Sequence, residues 1–391
     1  MRNNAGAPPE FGDQDGPYPF RTVEGPGVYE IPVGPVHAGL IEPGHFRFSV
    51  VGETILNLKA RLWFVHKGLE KLFNGRRPEH AIELAERISG DTAIGHTLAF
   101  CLAVEDALRL PVTPQAHRTR ATLLELERLY NHITDIGALC NDIGHGILNA
   151  HAQRIREQLL RINDEVTGHR LLRGAIHPGG AAVRRPPDPD RLTAIAADIA
   201  DIVELALGNS VAHDRFAGTA VLTHQQATDL GTLGYVARAS GVPTDARHQH
   251  PFLNLGHVLT VRTHTSGDVL SRFLARAEET TNSVALITHL THDSSNAADD
   301  AAKSEPAAAD PTSGGLTSGG PTSGVGIVEG WRGTITHRIE LDTDGTLTRV
   351  KIVDPSFFNW PALPVALTNT IVPDFPLTNK SFNLSYAGND L

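Results

Sequence analysis

Between residues 95 and 207 the sequence is a succession of long helical periods, and any fold that uses it must first bury those helices against one another. The periodicity predicts helices over 95–109, 115–139, 150–172 and 189–207. In the second, Leu126, Leu129, Tyr130, Ile133 and Ile136 form one apolar stripe. In the third, Ile155, Leu159, Ile162 and Val166 do the same. The fourth has clear punctuation, with Asp188 to cap it, Pro189 in its first turn and Gly208 beyond its end. Short helices fit 63–74 and 79–87, and another long one fits 266–292. Strand-like alternation is confined to the ends. His45–Val50 and Ile55–Ala60 flank a Gly52-Glu53-Thr54 turn, and a second hairpin spans 334–353 around Asp344-Gly345. The expected class is therefore α+β, a mainly helical bundle core with flanking antiparallel β-hairpins.

Residues 1–30 read as an extended or disordered lead-in, and 31–391 as a single domain. Residues 293–326 are rich in Ala, Asp, Ser, Thr, Gly and Pro, with Thr-Ser-Gly repeated at 312–314, 317–319 and 322–324; this composition predicts a flexible low-complexity insertion. A net charge of -10 argues against nucleic-acid binding. Cys101 and Cys140 are the only cysteines, too few for a disulfide framework, so a reducing cytoplasmic compartment is expected. Met1 to Gln14 shows no signal-peptide pattern, and no window reaches the ~18 apolar residues of a membrane span. No G-x-G-x-x-G lies between a strand and a helix, which speaks against direct NAD binding.

Two segments carry the chemistry. Glu86-Arg87-Ile88-Ser89-Gly90-Asp91-Thr92-Ala93-Ile94-Gly95-His96-Thr97 and Asn379-Lys380-Ser381-Phe382-Asn383-Leu384-Ser385-Tyr386-Ala387-Gly388-Asn389-Asp390-Leu391 resemble the two ligand loops of nickel–iron hydrogenase large subunits of the membrane-bound, formate hydrogenlyase type. In that family each loop carries a C-x-x-C pair, and four thiolates hold the metals. The matching positions here are Ser89, Thr92, Ser385 and Gly388. Thiolate sulfur is the soft donor such metals need, and neither a hydroxyl nor a glycine replaces it. The resemblance extends over roughly 18–391 and includes the quinone-site (49-kDa, D-type) subunit of respiratory complex I. It rests also on Gly34–Phe46, Phe64–Lys71, Glu125–Gly144, Ile176–Gly180, Arg238–Arg247 and Glu329–Gly333. The chain stops three residues after Gly388, so the C-terminal extension that many hydrogenases remove is not expected.

The resemblance implies roles. Glu42 matches a proton-relaying glutamate beside the metal, Asp142 an aspartate near the quinone head, and Arg332 an arginine over the metal site. His37, in the same loop as Glu42, joins the surviving polar set, and His66 would face a partner's iron–sulfur cluster. The match is incomplete on the quinone side too: Gly90 stands where the quinone-binding tyrosine would be, and Ile41 where its histidine would be. Read without the resemblance, Glu42 is equally a surface residue before the Pro43-Gly44 turn, Asp142 a helix-terminal aspartate, Arg332 a strand arginine and His66 part of a solvated helix face. Ser89 and Thr92 read as passive fillers, and Asp91 alone is a poor cation site. The implied function is a subunit of a membrane-associated, energy-converting oxidoreductase. It would sit on the inner face of the cytoplasmic membrane through partners: an iron–sulfur small subunit and antiporter-like membrane subunits. This chain would bind no nickel–iron cofactor itself, and a quinone or another small acceptor would occupy the former metal cavity. The alternative is a non-catalytic scaffold subunit of such a complex.

Overall fold

The computed structural model describes residues 20, 22–37, 41–301 and 320–391. The first sheet is antiparallel, with β1 (Val28–Val33), β2 (His45–Val51) and β3 (Thr54–Arg61) in the order β1-β2-β3. Phe46, Phe48 and Val50 of β2 alternate inward and are fully buried, as the period of two requires. A two-stranded ribbon, β4 (Ile176–His177) and β5 (Gly180–Ala181), turns at Gly179, whose φ of 83° is open to glycine. The third sheet joins β6 (Thr322–Gly330), β7 (Gly333–Leu341) and β8 (Leu347–Val353) in the order β6-β7-β8. Between the sheets stand the helices Ala93–Leu108, Pro114–Asp142, Gly146–Thr167, Pro189–Leu207 and Val269–Ala301.

The predicted stripes are the core. Leu126, Leu129, Tyr130, Ile133 and Ile136 are all at most 1% exposed. Each such side chain contributes roughly 1.5–3 kcal/mol of burial. Asp188 caps its helix as expected, accepting from Asp190 N at 3.0 Å. No described helix is long and apolar enough to cross a membrane.

The differences from expectation have local causes. The lead-in ends earlier than residue 30, because β1 starts at Val28 and pairs with β2 along its whole length. The helix expected over 63–74 is only Leu69–Phe73, since Trp63 (φ 75°) and Gly68 (φ 68°) are left-handed and break the helical path. The third long helix ends at Thr167 rather than 172, where Gly168 (φ 85°) closes it. The low-complexity insertion is narrower than 293–326 at both ends: the alanine-rich run to Ala301 continues the preceding helix, and Thr322–Gly326 belong to β6. The repeats at 312–314 and 317–319 lie outside the described residues.

The glycines that made β6 read as loop have a packing reason. A Cβ on Gly324 would sit 2.1 Å from the Ala103 carbonyl oxygen, and one on Gly326 would sit 1.9 Å from that of Ala99. Strand β6 therefore lies directly on the backbone of helix Ala93–Leu108, a distance only glycine permits. Gly326→Ala is expected to destabilise the fold by about 1–3 kcal/mol or more through forced separation. Denaturant unfolding checks this, with an unchanged midpoint as the contrary result.

Candidate functional site

That close packing sets where two loops meet. Helix Ala93–Leu108 begins at Thr92, and its first amides are held by a carboxylate from the neighbouring long helix. Glu127 Oε2 accepts from Ile94 N at 2.7 Å and Oε1 from Gly95 N at 3.0 Å. A carboxyl at a helix N-terminus satisfies orphan donors whether or not it is ionised. The Asp91 carbonyl accepts from Tyr130 Oη (3.1 Å) and Asn131 Nδ2 (2.8 Å). Loop 89–92 is thereby fixed to helix Pro114–Asp142. At the other end of the chain Ser385 caps the helix Tyr386–Asp390, its Oγ accepting from Gly388 N at 2.9 Å.

The two loops touch. The Ser89 and Ser385 hydroxyls are 2.9 Å apart although 296 positions separate them in sequence. Ser89 Oγ also donates to Asp91 Oδ1 at 3.0 Å, and Thr92 Oγ1 donates to the same oxygen at 2.9 Å. Arg332, in the turn between β6 and β7, grips Asp91 with both arms: Nη1 to Oδ1 at 2.8 Å and Nη2 to Oδ2 at 2.7 Å. Its guanidinium lies 3.9 Å from the Trp331 ring centroid. Trp331 Nε1 donates to Thr92 Oγ1 at 3.0 Å. The Asp91 side chain is 40% exposed, at the floor of a concave cleft. Burial works to raise its carboxyl, but the Arg332 charge and the three hydrogen-bond donors outweigh it and hold the group at about 2.

The cleft is about 250 Å³, and its lining includes Glu42, Ser89, Asp91, Arg332, Lys380 and Ser385. Of the residues singled out in the sequence, Glu42, Arg332, Ser89 and Ser385 face this space. Glu42 stands exposed at its rim and accepts from Ala387 N at 2.9 Å. His37 lies behind Tyr386, with Nε2 3.3 Å from its hydroxyl. Asp142 does not line the cleft. It ion-pairs with Lys380, which does, and its second oxygen Oδ2 is buried without a partner. Neither Thr92 nor Gly388 lines the cleft, and a Cβ on Gly388 would sit 2.5 Å from Asp354 Oδ2. Gly388 instead borders a second groove of about 210 Å³ that includes Trp63, His66 and Phe357. His66 is thus separated from the cleft, with Nδ1 2.7 Å from the Asp390 carbonyl oxygen.

Several site groups were not singled out from the sequence. Asp354 meets His96 Nε2 at 3.1 Å, and His96 Nδ1 meets His337 Nε2 at 3.1 Å. The Asp354-Pro355 pair is a helix-start signal that does not reveal a site. The Asn383 carbonyl oxygen accepts from Arg332 Nε at 2.5 Å, and Asp135 Oδ1 accepts from Asn383 Nδ2 at 2.6 Å. Nothing in their spacing distinguishes them from ordinary polar residues. Among the described residues no group of three or more His, Cys, Asp or Glu could hold a metal ion.

A helical bundle between antiparallel sheets, with a polar cleft closed by one loop from each half of the chain, defines a large subunit of the hydrogenase and complex I type. The chain belongs to the family of the respiratory-chain NADH dehydrogenase 49 Kd subunit, which its residues 142–390 match; residues 67–140 match nickel-dependent hydrogenase. It is 30% identical to hydrogenase-4 component G of Escherichia coli over 95% of its own length and 63% of that protein's. It is 29% identical to formate hydrogenlyase subunit 5 of the same organism, over 92% and 62%. The chain thus spans less than two thirds of these two relatives. In fold it is similar, with a TM-score of 0.82 and 22% identity, to a chain of the membrane-bound sulfane sulfur reductase, an archaeal respiratory membrane complex, covering 93% of this chain and 99% of that one. Its relatives are subunits of oxidoreductase complexes.

Glu127 gives the site a measurable pH dependence. Burial raises its carboxyl from 4.5 to about 8, against the pull of the two amides. A folded-state value above the unfolded one gives stability that is full below 4.5 and is lost as pH rises through about 8. Glu127→Gln is expected to flatten that decline, seen in denaturation midpoints across this window. An equal decline in both proteins would contradict it.

Proposed function

We propose that this chain is the catalytic-type subunit of a membrane-associated, energy-converting oxidoreductase complex, working without nickel. In this reading it docks peripherally on the membrane through its partners. An iron–sulfur small subunit delivers electrons to the cleft, and a quinone head group or another small acceptor takes them there. Antiporter-like membrane subunits use the energy released.

The observation that carries the reading is the contact of Ser89 with Ser385 at the base of an accessible cleft. Two of the four positions that resemble the thiolate ligands, Ser89 and Ser385, line the cleft, with Thr92 and Gly388 beside them, which supports reading it as the former metal cavity. The residues in it do not fit the nickel–iron group. Three are hard hydroxyl donors, each already in hydrogen bonds with neighbours, and Gly388 offers no side-chain donor and no room beside Asp354. The lining instead suits an uncharged polar acceptor. Arg332 and Lys380 are each neutralised by a carboxylate, while Asn379 and the serines present hydrogen-bonding groups beside apolar Ile41 and Leu384.

The roles follow from position. Arg332, fixed by Asp91, supplies a permanent cation at the cleft wall, which would stabilise negative charge developing on an acceptor. Glu42 at the rim is placed to exchange a proton with solvent. Asp142 acts through Lys380, setting the position of that ammonium. The scaffold reading keeps one supporting observation: the hydroxyls satisfy one another without any ligand.

The test is purification of the tagged complex from its native membranes, followed by metal analysis and a quinone-reduction assay. Iron without nickel, together with reduction that falls at least tenfold in Arg332→Gln, is the expected result. Asp142→Asn is expected to raise KM for the acceptor more than it lowers kcat, because it loosens Lys380. Nickel near one per chain would overturn the reading, and an intact complex with no dependence on Arg332 would favour the scaffold.

A further inference from the structure

Behind the Trp331–Arg332 turn lies a buried cluster of charges that the cleft does not use. It is centred on the Arg238–Arg247 segment, which resembled the family without any implied role. Arg238 pairs with Glu279 at 2.7 Å, Glu329 at 2.9 Å and Asp245 at 3.5 Å. Arg247 pairs with Asp245 at 2.6 Å and Glu125 at 2.9 Å. Arg128 closes the ring, lying 3.1 Å from Glu125 and 3.5 Å from Glu279. Every one of these side chains is at most 11% exposed. The cluster holds three guanidiniums and four carboxylates, so its fully ionised form carries one unpaired negative charge out of water.

The surroundings do not cancel that charge. On helix Val269–Ala301, Arg276 is paired with Asp135 at 2.9 Å, and Arg272 has Asp268 beside it. Glu278 faces His264 at 3.2 Å and Arg262 at 4.0 Å. Arg332 is taken by Asp91. On helix Pro114–Asp142, Glu127 is held neutral at pH 7 by burial. The remaining titratable neighbour is His132, whose Nε2 lies 2.8 Å from Glu279 Oε2 and whose Nδ1 is fully buried without a partner. An isolated buried charge is far costlier than its neutral form, so such a group binds a proton.

We propose that this ring, with His132, is a proton-binding site that holds one exchangeable proton at neutral pH, and that Glu279 is its opening to solvent. Glu279 is the most exposed member, and with Asp245, Arg238 and Arg247 it lines a small pocket that Glu278 and Thr260 border. The proton belongs to the coupled ring rather than to one residue. Burial and the neighbouring Asp245 raise Glu329 against the pull of its donors Arg238, Ala246 N and Thr334 Oγ1, whereas burial disfavours charged His132. The ring also touches the cleft. Arg128 donates to the Gly330 carbonyl at 3.1 Å and the Glu329 carbonyl at 2.8 Å, the two groups leading into Trp331 and Arg332. The His132 ring stands 6.0 Å from that of Trp331. Occupancy of the proton site therefore changes the field at the cleft wall whatever acceptor binds there.

The test is infrared spectroscopy of the full chain at neutral pH, in a Glu127→Gln background that removes a second raised buried carboxyl. A protonated-carboxyl band that shifts in heavy water is expected, with its loss in Glu329→Gln. That variant is also expected to release one proton fewer in potentiometric titration from neutral to alkaline pH, because the proton it lacks is the one the ring keeps at pH 7. Asp245→Asn and Glu125→Gln each remove one acid and provide the same readout if Glu329→Gln does not fold. Absence of the band in the Glu127→Gln parent, or a band and proton count unchanged in all folded variants, would overturn the proposal.

Discussion

The position of everything at the cleft depends on one close approach, that of β6 to helix Ala93–Leu108. With glycine at 324 and 326 the strand lies on the helix backbone, and a single methyl group at either place would have to push them apart. The N-terminus of that helix and the turn at the end of β6 are consequently brought within hydrogen-bond range of each other. Trp331 then reaches Thr92, and Arg332 reaches Asp91. The bidentate pair is geometrically demanding: a lysine cannot reproduce a planar fork on a carboxylate. The fold thus spends side-chain volume in one place to gain precision in another.

The exchange of thiolates for hydroxyls alters what kind of site can exist there. Four thiolates without a metal would be four buried negative charges or reactive thiols, and their geometry would be set by the ion they hold. Hydroxyls instead donate and accept, so Ser89, Thr92 and Ser385 satisfy one another and Asp91 within the protein. Such a site is organised before any ligand arrives. At its centre the fixed charge is a matched pair, Arg332 with Asp91, with Lys380 paired to Asp142 and Glu42 at the rim. That pattern fits recognition of a neutral molecule whose charge appears only on reduction.

The helical core was legible in the sequence because its stripes are long and its caps conventional: Asp188, Pro189 and Gly208 mark a helix without help from tertiary structure. Strand β6 was not, because its glycines answer to a neighbouring helix rather than to local propensity. The convergence of Ser89 with Ser385 was readable only through resemblance, since no local signal links residues 296 positions apart. Asp142 illustrates the limit of carrying a role by position, as its partner here is Lys380 and it stands behind the cleft rather than in it. Glu127, Asp354 and the arginine-rich ring carry no periodicity that separates them from solvated charges. Their burial is a property of packing, and packing is what the sequence encodes least directly.

The cleft and the charge ring share one structural element, the Glu329–Arg332 segment, and this makes their electrostatics inseparable. The Glu329 carboxylate points into the ring, accepting from Ala246 N at 3.0 Å and Thr334 Oγ1 at 2.9 Å, while Arg332, three residues on, points into the cleft. In a buried setting the effective dielectric is low, so a unit change of charge on one side is felt on the other far more strongly than across water. An electron arriving at the cleft raises the cost of the unpaired negative charge in the ring, and a proton held there lowers it. On the proposed reading, electron arrival and proton occupancy would be linked by geometry alone, without any moving part. If the proposed electron transfer takes place in the cleft, the three cations and four anions of the ring would feel it at the point where the cleft wall is anchored.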